Sequence, residues 1–525
     1  MKKLSKYLLA VCVFGAFFCR PYTSFSQSGE LKSNVNKLAT VFQCIDYFYT
    51  DTVDIESLTE TAIKAALKEL DPHSVYMDKE ETKEANEPLN GNFEGIGVQY
   101  QLNHDTIVVI SPVSGGPSEK VGIIAGDKIV EVNGENATGK SVTINWVQKH
   151  LRGPKGSPVN VKVVRQNVPE LLDFTIIRDV IPLYSVDAHY MVDKNIGYIK
   201  LSKFARTSIE EIADALNDLR SQGMKKLIFD LRNNSGGYLD VAVSVADQFL
   251  PIGKLIVYTQ GRMSPKKDAV ATADGIFEDG DLVILINEGS ASASEIVSGA
   301  VQDWDRGTLV GRRSFGKGLV QRPFSLADSS QIRLTIARYY TPSGRCIQKP
   351  YDGGSEEYFK ELSERLKHGE FVNQDSISFP DSLKYTTASG RTVYGGGGIM
   401  PDVFVPLDTT AFSSYYKSLN VKGLQAKYCI DYVNSHRKEL NKKYPDSKTY
   451  IAKFKVTDDI VNDFISFVEK NDIEKDMDGY NQSKNIIDTQ LKALIGRDLF
   501  DMNTYYQIAN PLSDEFNIAI ELLNK

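Results

Sequence analysis

Three short stretches carry residue types suited to nucleophilic catalysis. The first is Ser290-Ala-Ser-Ala-Ser294. An apolar run of strand length, Leu282-Val-Ile-Leu-Ile286, leads into it. Apolar residues then recur at Ile296, Val297, Ala300, Val301 and Trp304, which is helical spacing. A hydroxyl at such a strand–turn–helix junction sits where helix amides point outward and stabilise an oxyanion. Taken alone, the stretch reads first as an ordinary helix cap, because Ser292-x-x-Glu295 fits the capping box. The second stretch is Arg313-Ser-Phe-Gly-Lys-Gly-Leu-Val-Gln321. Taken alone, Lys317 reads first as a solvated surface lysine. Partly withdrawn from water, however, its charged form is disfavoured, its pKa falls, and it can accept a serine proton. Gln321, four residues on, shares its face in a strand or a helix, and an amide oxygen orients a lysine without adding negative charge. The third stretch is Asn233-Asn-Ser-Gly-Gly237, after an apolar strand. Its glycines let the backbone approach a ligand and leave an amide to meet an oxyanion; the plain alternative is a strand-to-helix turn.

These stretches need a scaffold, and residues 170 to 350 supply one. Gly197–Leu201, Lys225–Arg232 and Leu282–Ile286 read as strands. Ser208–Gln222 and Tyr238–Leu250 read as helices, the first with Ile209, Ile212, Leu216 and Leu219 on one face. Further strands near 307–311 and 331–340 are expected to extend the same sheet. Alternation of this kind predicts an α/β core whose strand ends turn their loops toward one site. Residues 91 to 167 form a separate β-rich unit, with a strand opened by Gly95–Val98 and further strands at Thr106–Ser111, Gly126–Gly134 (closed by an Asn-Gly turn) and Pro158–Arg165. Residues 31 to 88 are helical, broken at Pro72. The polar stretch 351–388 looks like an insertion with a helix at Glu356–His368. From about 409 onward the chain is helical, and a stripe at Ile460, Phe464 and Phe467 predicts a packed domain.

The chain has 525 residues, enough for several domains, and a net charge of −7. That charge gives no reason to expect nucleic acid as a partner. Lys2 and Lys3 precede an apolar segment, Tyr7–Phe18, too short to span a bilayer comfortably. Ser24 and Ser26 then suit cleavage before Gln27, so residues 1–26 read as a secretory signal peptide. The competing readings are an uncleaved anchor and lipidation at Cys19, which Phe17 and Phe18 disfavour. Cys44, Cys346 and Cys429 form neither a metal spacing nor a disulfide framework. The six histidines are scattered and no His-Glu-x-x-His occurs.

The 91–168 unit resembles a PDZ domain of the bacterial protease type. The resemblance makes Gly95, Ile96, Gly97 and Val98 the carboxylate-binding loop and following strand, to which an extended peptide is added as a further strand; the alternative is a β-barrel spacer. Gly289-Ser-Ala-Ser-Ala-Ser-Glu295, Ser314-Phe-Gly-Lys-Gly318 and Gln321 together resemble the carboxyl-terminal processing peptidases, or tail-specific proteases. Asp230-Leu-Arg-Asn-Asn-Ser-Gly-Gly237, Leu70-Asp-Pro-His-Ser-Val-Tyr76 and Tyr339-Tyr-Thr-Pro-Ser-Gly-Arg345 share that resemblance, which covers about 35–405.

The resemblance implies a multidomain α/β protein: an N-terminal helical region (27–90), the PDZ-like domain (91–168), a serine protease core (169–405, insertion 351–388) and a helical C-terminal domain (406–525). It implies Ser292 as nucleophile, Lys317 as base and Gln321 as its orienting residue. The oxyanion donors would be the amides of Ala293 and of Gly236, with Gly237 next in order. No metal or cofactor is implied. The expected function is an exported, periplasmic or envelope serine endopeptidase that captures the C-terminal tails of protein substrates. A homodimer through the helical regions and an adaptor protein remain open as further partners. Two alternatives stand beside this reading. One is a non-catalytic PDZ scaffold that keeps the protease fold, which has no need of Ser292, Lys317 and Gln321 together. The other is a hydrolase using His73 or His189 as base.

Overall fold

A computed structural model of the chain describes residues 29–525 except 104, 166–167 and 273–274. The expected signal segment 1–26 lies outside the described residues. The chain divides into two units between Glu69 and Leu70. In the first, Gly29–Phe48 and Ile55–Lys68 are helices. Asp54 caps the latter, accepting from the Glu56 and Ser57 amides at 3.0 and 3.1 Å. The helical region expected over 27–90 is thus divided, since the helix Lys79–Asn90 falls in the second unit.

The second unit is built around a six-stranded sheet. Its order is Val186–Met191, Ile196–Leu201, Lys226–Asp230, Asp281–Ile286, Thr308–Gly311 and Val403–Phe404, parallel except for the first pair. Alternate residues of its strands serve two cores, as a pleated sheet requires. Leu227, Phe229 and Ile284 pack with the helices Ser208–Ser221, Leu239–Asp247 and Ala293–Asp303. Ile228, Val283 and Leu285 pack instead with Phe516, Ala519 and Leu523 of the last helix, Asp514–Leu523. The C-terminal region is therefore not a self-contained appendage. Its helices between Ser414 and Leu499 share one core, while the final helix covers the open face of the six-stranded sheet.

Two expectations need correction. Gln331–Tyr340 does not extend the core sheet. It is the long strand of a second sheet, pairing antiparallel with Val75–Met77, Leu255–Gln260 and Leu319–Ser325. The alternation that identified the core does not distinguish a parallel crossover from a hairpin return. The β unit also outruns its expected boundary at 168, because Leu172–Ile177 pairs with Pro158–Val164 along its full length. As expected, Gly95–Val98 leads into a strand, which begins at Val98, while Asn92–Gly95 pairs with Asp179–Pro182. The Asn-Gly hairpin is present as expected, with Asn133 and Gly134 both at positive φ (50° and 85°).

Candidate active site

Parallel strands ending at Leu201, Asp230, Ile286 and Gly311 send their following loops to one end of the sheet. A cavity of about 340 Å³ lies there, and Ser292, Lys317, Gln321, Gly236 and Gly237 all line it. Three stretches that lie apart in sequence, at 233–237, 290–294 and 313–321, thus share one cleft.

Ser292 is the residue before the helix Ala293–Asp303, at φ 54° and ψ −110°. A side-chain-bearing residue at positive φ is strained, at a cost of order 1–3 kcal/mol. Such strained strand-to-helix turns present a hydroxyl at the top of a sheet. Its serine neighbours are fully buried and hold the turn. Ser290 Oγ donates to the Leu231 carbonyl and Ser294 Oγ to the Asn234 carbonyl, each at 2.8 Å. Both therefore fasten the Ser292 turn to the glycine loop.

The glycine loop is fixed by its asparagines. Asn287 Oδ1 accepts from the Asn233 amide at 2.8 Å, and Asn234 Nδ2 donates to the Leu201 carbonyl at 3.0 Å. Gly236, the first expectation for an oxyanion donor, is buried and its amide donates to Asn234 Oδ1 at 2.9 Å. That amide is therefore already engaged within the loop. Gly237 is exposed, and its amide and that of Ala293 have no acceptor among the described residues. Gly236 has another task. A Cβ there would lie 2.9 Å from Ser292 Cβ and 3.0 Å from the Ala293 nitrogen, so its lack of a side chain lets the loop lie against the nucleophile.

Lys317 lies in the loop after Gly311, and Gln321 lies in the strand Leu319–Ser325. Lys317 Nζ donates to Gln321 Oε1 at 3.0 Å, and Gln321 Nε2 donates to the His73 carbonyl at 2.9 Å. Burial, and then the charge of Arg333, lower the Lys317 pKa against the raising influence of Glu295 and Asp71. The Leu70–Tyr76 stretch, which alone reads as a helix-ending turn, is thus the anchor of the residue that orients the lysine. Asp71 stiffens that turn, accepting from the His73 and Ser74 amides, Ser74 Oγ and Thr335 Oγ1 at 2.6 to 3.1 Å.

Glu295 has a larger part than the capping box suggests. Its fully buried carboxylate accepts from the Ser292 amide at 2.8 Å and the Lys317 amide at 2.9 Å through one oxygen. Through the other it accepts from Ser314 Oγ at 2.5 Å and the Gly316 amide at 2.7 Å. Burial pushes its pKa up to about 7 against the opposing effect of those four donors. One side chain therefore sets the distance between nucleophile turn and lysine loop. The sequence signal was present in Ser292-x-x-Glu295, but the partners at 314–317 lie beyond any local pattern.

Neither histidine considered as a base lines the cleft. His73 Nε2 is 2.9 Å from Tyr358 Oη, and burial with nearby Lys317 lowers its pKa to about 4. His189 Nε2 pairs with Asp218 at 3.2 Å. In the β unit, Ile96, Gly97 and Val98 line an apolar groove of about 110 Å³ closed by Val147 and Leu151 of the helix Ile144–Leu151. Gly95 lies outside it, in the strand paired with Asp179–Pro182.

Residues 195–354 match peptidase family S41, residues 95–176 match the PDZ domain, and residues 21–81 match the N-terminal domain of the activating protease CtpB. Residues 415–501 match a family of unknown function. The chain is 39% identical over 320 residues to the carboxy-terminal-processing protease of Bartonella bacilliformis, covering 59% of this chain and 72% of that protein. This chain belongs to the carboxy-terminal-processing protease family. It is a serine-type peptidase with a peptide-binding PDZ domain. It is also 38% identical over 322 residues to the "Probable CtpA-like serine protease" of Staphylococcus aureus, spanning 60% of this chain and 63% of that relative's length. Among solved structures, the photosystem II D1 C-terminal processing protease is 24% identical, covering 71% of this chain and 93% of that one, with a TM-score of 0.37. The PDZ domain of a carboxy-terminal protease from Vibrio cholerae, in complex with peptide, is 32% identical, covering 18% of this chain and 99% of that one, with a TM-score of 0.16. In this processing protease, the final helix and the 351–388 insertion lie outside the S41 match or at its margin, yet both touch the catalytic loops. Arg365 of the insertion donates to the Arg313 and Ser314 carbonyls at 2.8 and 3.0 Å.

Proposed function

We propose that this protein is an exported endopeptidase that captures the C-terminal tails of polypeptides on its PDZ groove and cuts them with Ser292 as nucleophile, Lys317 as base and Gln321 as orienting residue. The observation that carries the reading is the setting of Lys317. It is half-buried, its polar partner Gln321 is neutral, and the cleft it shares with Ser292 has no carboxylate on its wall. A lysine so placed loses its proton more readily than one in water. Neutral Lys317 takes the Ser292 proton as the hydroxyl attacks the scissile carbonyl. The amides of Ala293 and Gly237 receive the oxyanion, a contribution of about 10²–10³ in rate for a single donor. Protonated Lys317 then gives its proton to the leaving amine, and water, deprotonated by the same lysine, releases the acyl group from Ser292. Export rests on the Lys2–Gln27 pattern, and tail capture on the Ile96–Val98 groove.

The test is turnover of a denatured model protein. Ser292→Ala and Lys317→Ala are expected to lose activity by about a thousandfold or more while keeping the wild-type circular dichroism spectrum. Substantial cutting by either variant would sink the assignment. A folded wild-type protein that bound tails and never cut them would favour the scaffold reading instead.

A further inference from the structure

The charged residues on the cleft wall are all cations: Lys203, Lys317 and Arg333. Lys317 works as a base only when neutral, which leaves two permanent positive charges beside the scissile bond. Arg333 projects from the long strand Gln331–Tyr340 of the second sheet. It is half-buried, donates from Nη2 to the neutral Asn86 Oδ1 at 2.8 Å, and has no acidic partner among the described residues. Lys203 comes from the other side, in the loop after the core strand Ile196–Leu201. Its neighbour Phe204 donates to the Gly236 carbonyl at 3.1 Å, so Lys203 stands beside the oxyanion loop, and it too forms no ion pair among the described residues.

Elsewhere in the core, buried cations are paired with carboxylates or, like Arg306, held by three backbone carbonyls at 2.9 Å, whereas Arg333 has a single neutral acceptor. Arg232 meets Asp230 at 2.6 Å, Arg345 meets Asp303 at 2.8 Å, and Arg312 meets Glu288 and Glu515 at 2.9 and 2.6 Å. An arginine remains charged at any physiological pH, so taking one partly out of water without a counter-charge is unfavourable. The cleft is thus arranged to receive an anion. On a polypeptide, the anion is a carboxylate.

We propose that Arg333 and Lys203 form a carboxylate-binding subsite in the catalytic cleft, so that the enzyme selects polypeptides presenting a carboxylate near the scissile bond. The carboxylate belongs either to an Asp or Glu side chain or to the chain terminus itself. This rests on the assignment of the cleft as the place of cutting. A competing role for Arg333 is to hold the Lys317 pKa down through its charge alone, and the two roles differ in what they change.

The test is cleavage profiling of a peptide library by the full-length protein, with cut sites read by mass spectrometry. The same library is offered with free and with amidated C-termini. Wild type is expected to favour peptides with Asp or Glu near the cut over their Asn or Gln counterparts by about tenfold in kcat/KM, as suits a charge-assisted hydrogen bond. If the terminal carboxylate is the ligand, the preference appears instead as a loss of cutting on amidation that Arg333→Gln and Lys203→Gln diminish, whereas a loss unchanged in both variants belongs to the PDZ groove and not to the cleft. Arg333→Gln and Lys203→Gln should each erode the preference at every pH, and Arg333→Lys should restore part of it. Wild-type cutting without any carboxylate preference would overturn the proposal. So would a preference that persists in both Gln variants while Arg333→Gln merely moves the pH profile. If Ser292→Ala still cuts the library, the cleft assignment fails first; if it does not cut and wild type shows no preference, only the subsite fails.

Discussion

Glu515 and Arg312, 203 residues apart, form a 2.6 Å ion pair that joins the last helix of the chain to the root of the lysine loop. The same carboxylate reaches Arg232 at 3.3 Å, next to the glycine loop, and Arg312 also pairs with Glu288 at 2.9 Å, just before the nucleophile turn. Three loops that must agree in position are thereby tied to one residue from outside the S41 match. Arg232 and Arg312 hold the Glu515 carboxyl below its usual range although burial opposes them. Removing one partner from a buried pair leaves charge uncompensated, so Glu515→Ala is expected to lower stability by about 3 kcal/mol, read from chemical denaturation. Because its contacts run to loop roots and not to the cleft, kcat should fall several-fold more than KM rises. A Glu515→Ala protein with wild-type stability and kcat would show the network to be inert.

Gly236 offers a local test. An added methyl would press on Ser292 Cβ, the Ala291 carbonyl and the Ala293 nitrogen, all within 3.0 Å. These atoms belong to the turn and the helix start, which are packed and cannot give way freely. Gly236→Ala is expected to reduce kcat by about a hundredfold, the scale of a lost oxyanion donor, and, because Gly236 sits at φ 105°, to lower stability by about 1–3 kcal/mol as well. Near-normal kcat would mean that the loop withdraws from Ser292 without consequence.

Much of this architecture was legible in the sequence because it is local. The strand–turn–helix at Leu282–Trp304 follows from period and residue size, and the Asn133-Gly134 hairpin from turn chemistry. Lys317 and Gln321 stood four residues apart with matching chemistry. What was not legible depends on contacts across long stretches of chain. Gly236 and Gly237 cannot be ranked as donors from adjacent identical residues; only the Asn234 side chain separates them. The strand Gln331–Tyr340 has the same character whichever sheet it joins. Glu295 looked complete as a cap because its cap partner is three residues away, whereas its second pair of donors is about twenty away. Arg333, Tyr358 and Glu515 carry no local signal at all.

Tyr358, from the insertion, tests whether that segment supports catalysis. Its hydroxyl lies 2.9 Å from His73 Nε2, and the His73 carbonyl holds Gln321. Tyr358 is buried, so its removal both opens a cavity and frees the His73 ring. Tyr358→Ala is expected to lower stability by about 3 kcal/mol and kcat by roughly tenfold, whereas Tyr358→Phe, which keeps the packing, should lose only about 1 kcal/mol. Thermal unfolding and peptide kinetics of the two variants separate packing from hydrogen bonding. Unchanged kcat in Tyr358→Ala would detach the insertion from the site.

The pH dependence of turnover gives the last prediction its sign. The base must be neutral, so activity rises with pH as Lys317 loses its proton. Burial and Arg333 depress that pKa, so the rise should be centred below the value of about 10.4 for a free lysine. Glu295, with its pKa pushed up to about 7, ionises over the lower part of the same rise and then accepts fully from both loops. Taking away the Arg333 charge removes one lowering influence, so Arg333→Gln should move the lysine limb to higher pH. Taking away the Glu295 charge removes a raising influence, but Glu295→Gln also puts an amide donor among the four donors that the carboxylate now accepts from. Its kcat is therefore expected to fall by about a hundredfold across the whole range, without recovery at high pH. The measurement is kcat/KM of wild type and both variants from pH 6 to about 10, within the span over which a depressed lysine titrates. A wild-type profile that falls with rising pH over this range would be incompatible with Lys317 as the base.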